Sequence, residues 1–376
     1  MSGSLNDYLK LAARFVQPAL ISPEALDDIA RIGRFLPHLT ASGFECRLGD
    51  PVPRADLGCR FWPAERGPRY LAGINDEGDN LPIFLLREQP WQRIQAFAAR
   101  WAEPGTLLHQ EIEDIFLEFD VDGAPPEIPI PAIFLDFHKH AVHRVQTMRE
   151  VLTLLWGEAM TPEVEHRVVH CVESLPDGAV LYSMGAMFSR GLKGVRLYLN
   201  HLRAPEIPDY LQRVGWPGSL AAIAELVAWM PPDLMLCIDV GARLGPKVGV
   251  QYHDTENMQH SAPKWLAFLD RLVAKGLCLP GKRDALKVWL GHVHERSHKD
   301  SWPANLRALS ERLGPKVMSV FVRLINHIKV SYEPDRPLEA KAYLGMIQTW
   351  LSYHPDRRRY ALGDLPAGLQ ARAGGP

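Results

Sequence analysis

The residues best placed for chemistry are Arg and Lys side chains that interrupt alternating apolar runs: Arg60 in GCRFW, Arg196 in GVRLYLN, Lys247 in PKVGVQ, Lys329 in HIKVS and Lys341 in EAKAYLG. In an extended strand successive side chains face opposite sides. GVRLYLN therefore puts Val195, Leu197 and Leu199 on one face and Arg196, Tyr198 and Asn200 on the other. The same split sets Val248 and Val250 against Lys247, Gly249 and Gln251, and Ala342 and Leu344 against Lys341 and Tyr343. It also sets Ile328 and Val330 against His327, Lys329 and Ser331, and Cys59 and Phe61 against Arg60 and Trp62. Any one such strand is explained by a sheet with a wet side. Five that carry the same sign of charge predict more if the sheet closes, because the cations then converge in an enclosure that focuses their field on an anion. Tyrosines two positions on supply neutral donors and aromatic faces. That combination suits a substrate whose leaving group is a diphosphate and whose reacting carbon becomes a carbocation.

Carboxylates accompany the cations. Glu45 lies in FECR, where it could orient an acceptor or take its proton, or simply pair with Arg47 or Arg60. Glu118 and Asp120 share one strand face in FLEFD, as do Asp136 and His138 in the next strand; Asp239 is a third candidate. These groups could bind a cationic acceptor, serve as the acid–base group in place of Glu45, or be polar lining. Trp62 could stack on a prenyl chain or an aromatic acceptor, or pack structurally. The histidines 138, 140, 143 and 292, 294, 298 lack both the HExxH pattern and a Cys partner at zinc spacing, so no protein metal site is expected. No Walker-type loop, dinucleotide GxGxxG or DDxxD is present.

The elements that must position these residues repeat. A helix is predicted over 23–37, with Ser22 as N-cap before Pro23. Strands at 44–50 and 56–63 precede a helix at 90–102, with 66–88 ambiguous; strands at 114–121 and 132–139 precede helical sequence over 142–174. Strands at 179–189 and 194–202 precede 208–229, and strands at 233–242 and 246–254 precede 263–290; the last pair is 317–332 and 338–346. Parallel folds place one strand, not a hairpin, between successive helices. The expected fold is therefore α/β: five ββα repeats forming a closed ten-stranded antiparallel barrel surrounded by helices. Residues 1–353 are expected to form this one domain with an N-terminal helical extension, and 354–376 a loosely attached tail.

Composition agrees with a globular chain, 47% hydrophobic and 23% charged over 376 residues. The 42 basic and 44 acidic residues leave a formal charge of −2, so no global field steers the protein to nucleic acid or an anionic membrane, and an anion site must be local. Five cysteines without CxxC suit reduced thiols. No apolar run reaches the ~20 residues of a membrane helix, and no signal-peptide pattern opens the chain. A cytoplasmic protein without membrane insertion is expected.

In element order and motifs the chain resembles the ABBA-type prenyltransferases, nearest to the cyanobactin-type peptide prenyltransferases. The resemblance spans roughly residues 40–350 as architecture and short stretches as sequence. FECR places Glu45 like the glutamate of an early strand in that group. GCRF offers Arg60 for its diphosphate-binding arginine, and Lys341 with Tyr343 matches its final basic-x-Tyr element. RLY at 196–198 and the lysines 247 and 329 fit the remaining basic positions. The resemblance implies an isoprenyl diphosphate donor held by Arg60, Arg196, Tyr198, Lys247, Lys329, Lys341 and Tyr343, with Glu45 or Glu118 as the catalytic carboxylate. Asp120, Asp136, Asp239 and Trp62 would bind a peptide acceptor, as in RiPP biosynthesis, or an aromatic one. It also implies Mg²⁺ bound with the diphosphate and no nucleotide cofactor. The chain departs from the pattern at Gly249 and Ser331, where tyrosines are expected, which leaves donor length open. Two rivals are a pentein-like guanidine-modifying hydrolase, which needs a nucleophilic cysteine, and a barrel that binds a peptide or anion without chemistry.

Overall fold

The computed structural model describes residues 4–65, 67–74, 80–157, 160–191, 194–232, 234–253, 262–354 and 359–362. Its strands pair as consecutive antiparallel hairpins. They are β1 (Ala41–Arg47), β2 (Ala55–Phe61), β3 (Ile112–Phe119), β4 (Ala132–Phe137), β5 (Val180–Ala186), β6 (Val195–Leu202), β7 (Leu234–Val240), β8 (Leu244–His253), β9 (Gly291–His294), β10 (Val317–Tyr332), β11 (Glu339–His354) and β12 (Arg359–Leu362). The order runs β11-β1-β2-β3-β4-β5-β6-β7-β8-β10, and β10 pairs back onto β11, closing a ten-stranded barrel. β9 and β12 lie outside the ring, extending the long β10 and β11. The expected closed antiparallel barrel is thus the observed fold.

The alternation explains the two-sided packing. Leu57, Cys59, Leu117, Leu197, Val250 and Ala342 are fully buried in the core between barrel and helices, which also contains Trp91, Ile94, Phe97 and Trp101 of α4. The helices are α1 (Leu5–Ala13), α2 (Pro23–Gly33), α3 (Gly67–Ala72), α4 (Gln89–Ala102), α5 (Leu107–Glu111), α6 (Arg144–Trp156), α7 (Pro162–Glu173), α8 (Glu206–Arg213), α9 (Leu220–Trp229), α10 (Ala262–Ala274), α11 (Pro280–Trp289) and α12 (Ala304–Leu313). Ser22 caps α2 by accepting from the Ala25 N–H at 3.2 Å. The ambiguous 66–88 stretch holds α3 and a 3₁₀ turn, Ile83–Arg87.

Each later helical stretch is two helices where one was predicted. Pro162 opens α7 and Pro280 opens α11 at first-turn positions, where proline begins a helix but cannot continue one. The last strand runs eight residues beyond its expected end at 346. Residues 359–362 of the expected tail pair with β11, and the remainder of that tail beyond 354 lies outside the described residues. No described helix is long and apolar enough to cross a membrane.

The seam between first and last strands is tight. Gly43 faces Gly345, and a Cβ on Gly43 would run into the carbonyl oxygen of Leu344, so only glycine allows the strands to meet there. Outer-face packing carries the stability of the ring. Leu197→Ala should destabilise the protein by about 2–5 kcal/mol, the usual cost of such a cavity. Urea unfolding would measure this as a lower midpoint at unchanged slope.

Candidate active site

The inner faces of the strands converge on a cavity of about 80 Å³ in the half of the lumen near the hairpin turns. Arg190, Arg196, Lys247, Lys329 and Lys341 all line it, with Glu45, Glu118, Asp239, Cys237, Gly249 and Ser331. Four of the five expected cations therefore meet. Arg190, in the turn after β5, was not expected, since it lies in no alternating run.

The lumen is charge-balanced where the sequence predicts a basic interior. Lys341 donates to Glu45 at 2.5 Å, and Arg196 holds Asp239 through two bonds of 2.7 and 2.9 Å. Lys247 donates to Glu339 at 3.0 Å, and Arg190 grips Asp120, whose other partner is the Ser189 hydroxyl at 2.7 Å. Strand alternation reveals the cations, but the carboxylates that answer them come from other segments: the adjacent strand for Lys341 and Arg196, the strand beyond β10 for Lys247, and the loop after β3 for Arg190. Among the described residues, Lys329 has no carboxylate in an ion pair; its ammonium donates to the Tyr343 hydroxyl. Its stem crosses Gly249, where a Cβ would sit 3.0 Å from Lys329 Cδ. The tyrosine missing at 249 is thus a place kept for the lysine. Tyr343 stacks on His327 at 3.9 Å, and His327 on His253 at 4.5 Å.

Two carboxylates of this cavity are tuned apart. Burial works against ionised Glu45, but the charges of Lys341 and Lys329 and the hydrogen bonds from Lys341 and Tyr343 outweigh it and hold the group well below the usual carboxylate range. Glu118 is pushed up to about 7, by burial first and by the Glu45 charge, against Lys329 and Arg190. Burial also lowers Lys329, and it raises the Cys237 thiol despite Arg196 and Lys329 nearby. All five cysteines are buried and free, and Cys46 and Cys171 are each pushed up to about 12. None of these raised thiols has the lowered pKa that a pentein nucleophile needs.

Beside the cavity lies a small apolar cluster inside the barrel, separate from the outer core: Ala132, Phe134 and Met187, packed by Phe116 and Tyr198. The Phe134 and Tyr198 rings meet edge to face at 5.7 Å. Toward the strand-to-helix end a second polar group forms. Arg60 is there, not at the cation cavity; its Nε donates to Asp114 at 2.9 Å, and its guanidinium covers the Trp62 ring at 4.3 Å. Trp62 Nε1 donates to the same Asp114 oxygen at 3.2 Å, and the Tyr182 hydroxyl donates to Asp136 at 3.0 Å. Asp136 and Trp62, two of the expected acceptor residues, thus share this end. Asp120 and Asp239 instead pair with Arg190 and Arg196 at the cavity. Asp114 shares the alternating face of Phe116 and Glu118 and lies in register with Asp136, so the signal that picked out Glu118 and Asp120 also marks it.

No protein-family model and no curated protein matches this chain. Solved structures do. A 5-dimethylallyl tryptophan synthase from Streptomyces coelicolor in complex with DMASPP and Trp aligns with a TM-score of 0.50 at 14% identity, over 92% of this chain and 95% of that one. The apo form of prenyltransferase PriB aligns with a TM-score of 0.49 at 12% identity, over 90% of this chain and 94% of that one. At such identities the likeness is one of fold, and the first alignment, together with the closed hairpin barrel, establishes it: this chain has the fold of that synthase, a ten-stranded antiparallel barrel of hairpins ringed by helices.

Asp136 is raised to about 7 by burial and by the Asp114 charge. Its folded-state pKa exceeds the ordinary aspartate value, so the stability it contributes is present in acid and lost as pH rises toward and through 7. Asp136→Asn should therefore be more stable than the parent at pH 8 and indistinguishable from it at pH 4, compared by thermal unfolding.

Proposed function

We propose that this protein is a prenyltransferase that moves an isoprenyl group from an allylic diphosphate to a nucleophilic side chain of a peptide or to an aromatic small molecule. The observation that carries the reading is amphipathic. Five cations surround one cavity, and an isolated apolar cluster with three aromatic rings adjoins it inside the same barrel. An isoprenyl diphosphate has that polarity, anionic at one end and apolar at the other. The solved neighbours support it in kind: one is a synthase in complex with DMASPP and Trp, another a PriB complex with product diphosphate.

Arg190, Arg196, Lys247, Lys329 and Lys341 receive the diphosphate, with Tyr198 and Tyr343 at its margins. Ionisation breaks the carbon–oxygen bond of the donor, and the electron pair leaves on the diphosphate, where the cations stabilise it. The allylic cation forms beside Tyr198, Phe134 and Phe116, whose ring faces attract it and exclude water. The acceptor attacks from the end where Arg60, Trp62, Asp114, Asp136 and Tyr182 lie. Glu118 takes the proton released on attack, because a base near pH 7 must be free to change charge. Glu45 is committed to Lys341 and holds it in place. Arg60 belongs with the acceptor end, by its partners.

Mg²⁺, which the resemblance implies, does not fit the donor set. Glu45 and Asp239 at the cavity are engaged by Lys341 and Arg196, and Asp120 and Glu339 beside it by Arg190 and Lys247, which leaves Glu118, 3.6 Å from Arg190, as a lone ligand; among the described residues no cluster of three His, Cys, Asp or Glu is spaced to hold a metal. No step is routed through a metal; the five cations supply the charge compensation. The buried free thiols suit a reducing, cytoplasmic setting.

Incubation with dimethylallyl and longer isoprenyl diphosphates and a panel of Trp, Tyr, Arg and His peptides, read by mass spectrometry, tests the reading. Acceptors should gain whole isoprene units. Capture of diphosphate with no mass gain on any acceptor would favour a binding barrel instead. With an accepted substrate, kcat/KM should rise with pH through a midpoint near 7, the deprotonation of Glu118, and Glu118→Gln should remove that limb. A limb unchanged in Glu118→Gln would assign the base elsewhere.

A further inference from the structure

The lumen has a second, larger space at its hairpin end, a vestibule of about 590 Å³. It opens between the β1–β2 turn (Gly49, Asp50), the β10–β11 turn (Glu333, Arg336, Pro337, Leu338) and the α10–α11 turn (Gly276, Leu277). Lys247 and Ser331 line both this vestibule and the cation cavity, so the two spaces share a wall. That wall is the Lys247–Glu339 pair, and Glu339 lies 4.0 Å from Lys341 as well. Lys247 is the most exposed of the cavity's paired lysines, 41% against 11% for Lys341. The frame around the opening is tied down: Lys282 of α11, itself buried, donates to the carbonyls of Arg47 and Val52, and Leu279 N–H donates to Leu48.

From this juxtaposition the geometry points to a port for inorganic diphosphate: the ion leaves, and the donor's diphosphate head enters, through the hairpin-end vestibule, away from the Trp62 and Asp136 end. This rests on the prenyl-transfer reading for the origin of the ion. Once the donor's carbon–oxygen bond has broken, the product diphosphate sits among five cations and is bounded on the inner side by the apolar cluster, where the Tyr198 hydroxyl is the one polar group. Lys247 alone among those cations faces both spaces. It exchanges Glu339 for the anion when the ion is in the cavity and returns to Glu339 as the ion departs. That route lets the ion leave without first displacing whatever occupies the Trp62 and Asp136 end.

A port sets rates and leaves equilibrium affinity alone, and that distinguishes it from the site. Arg336→Trp and Pro337→Trp, at exposed turn positions, narrow the vestibule; His138→Trp, at the strand-to-helix end after β4, leaves the vestibule untouched and is the control. In the full-length protein, stopped-flow binding of inorganic diphosphate should slow in both association and release by about tenfold in the vestibule variants, within the range that obstruction of an entry route gives. Kd should stay unchanged, and His138→Trp should match the parent. Unaltered rates in the vestibule variants with slowed rates in His138→Trp would overturn the port. So would a weakened Kd at an unchanged association rate, since that places the defect in the site. If the parent binds no diphosphate, the cation cage itself fails and the port with it. If it binds diphosphate through the vestibule but never prenylates, the transfer reading alone falls.

Discussion

The structure depends on neutralising charge inside a barrel. An ionised side chain taken out of water without a partner costs several kcal/mol even after the protein relaxes. Five cations on one cavity would be prohibitive if they stood alone. Four are answered by carboxylates on other elements: Lys341 of β11 by Glu45 of β1, Arg196 of β6 by Asp239 of β7, Lys247 of β8 by Glu339 of β11, and Arg190 by Asp120. Two of the pairs brace adjoining strands, β11 to β1 and β6 to β7, the other two reach across an intervening strand, and all four hold the cations aimed inward. Lys329 is the exception, settled by a phenol and a glycine in place of a carboxylate. An incoming anion finds donors already arranged, the condition under which electrostatic stabilisation needs little reorganisation.

Period-two alternation made the barrel legible. GVRLYLN and EAKAYLG sort their residues onto two faces without any knowledge of neighbours, and the order of hairpins and helices pointed to ten antiparallel strands, whose closure the β10–β11 pairing shows. What alternation cannot report is height along the barrel axis. Arg60 and Arg196 read alike in their own strands, yet one pairs with Asp114 near the helix connections and the other faces the cation cavity. Strand tilt and bulges, such as those at Ile112/Asp114 and Leu181/Ser183, decide such heights through pairing between distant segments. Arg190 escaped because turns have no period. The broken outer helices were visible in Pro162 and Pro280, whose stop signals the apolar periodicity overshadowed.

Small residues matter as much as charged ones. Gly249 and Ser331 stand where bulky rings would fill the ring's interior, and both line the cation cavity. The space goes to the stem of Lys329 and to the passage beside Lys247. Apolar contact is moved across the lumen to Phe116, Phe134, Met187 and Tyr198. The interior is therefore divided lengthwise and crosswise, polar toward the hairpins and aromatic toward β3–β6.

Closure of the ring joins the two ends of the chain. β1 finds one of its two neighbours in β11, about 300 residues later in a chain whose hydrophobic contacts must form across that separation. The N-terminal helix does the same, with Tyr8 edge-on to Phe321 at 5.0 Å and bonded to Asn305 at 2.9 Å. On a ribosome the first hairpin emerges long before its partner exists. Its free edge, Phe44 and Cys46 included, must be kept from pairing with other chains until the final strand is made. Synthesis order thus makes the Gly43–Gly345 seam the last joint of the barrel to close, and the edge of the first hairpin stays open until β11 has been made.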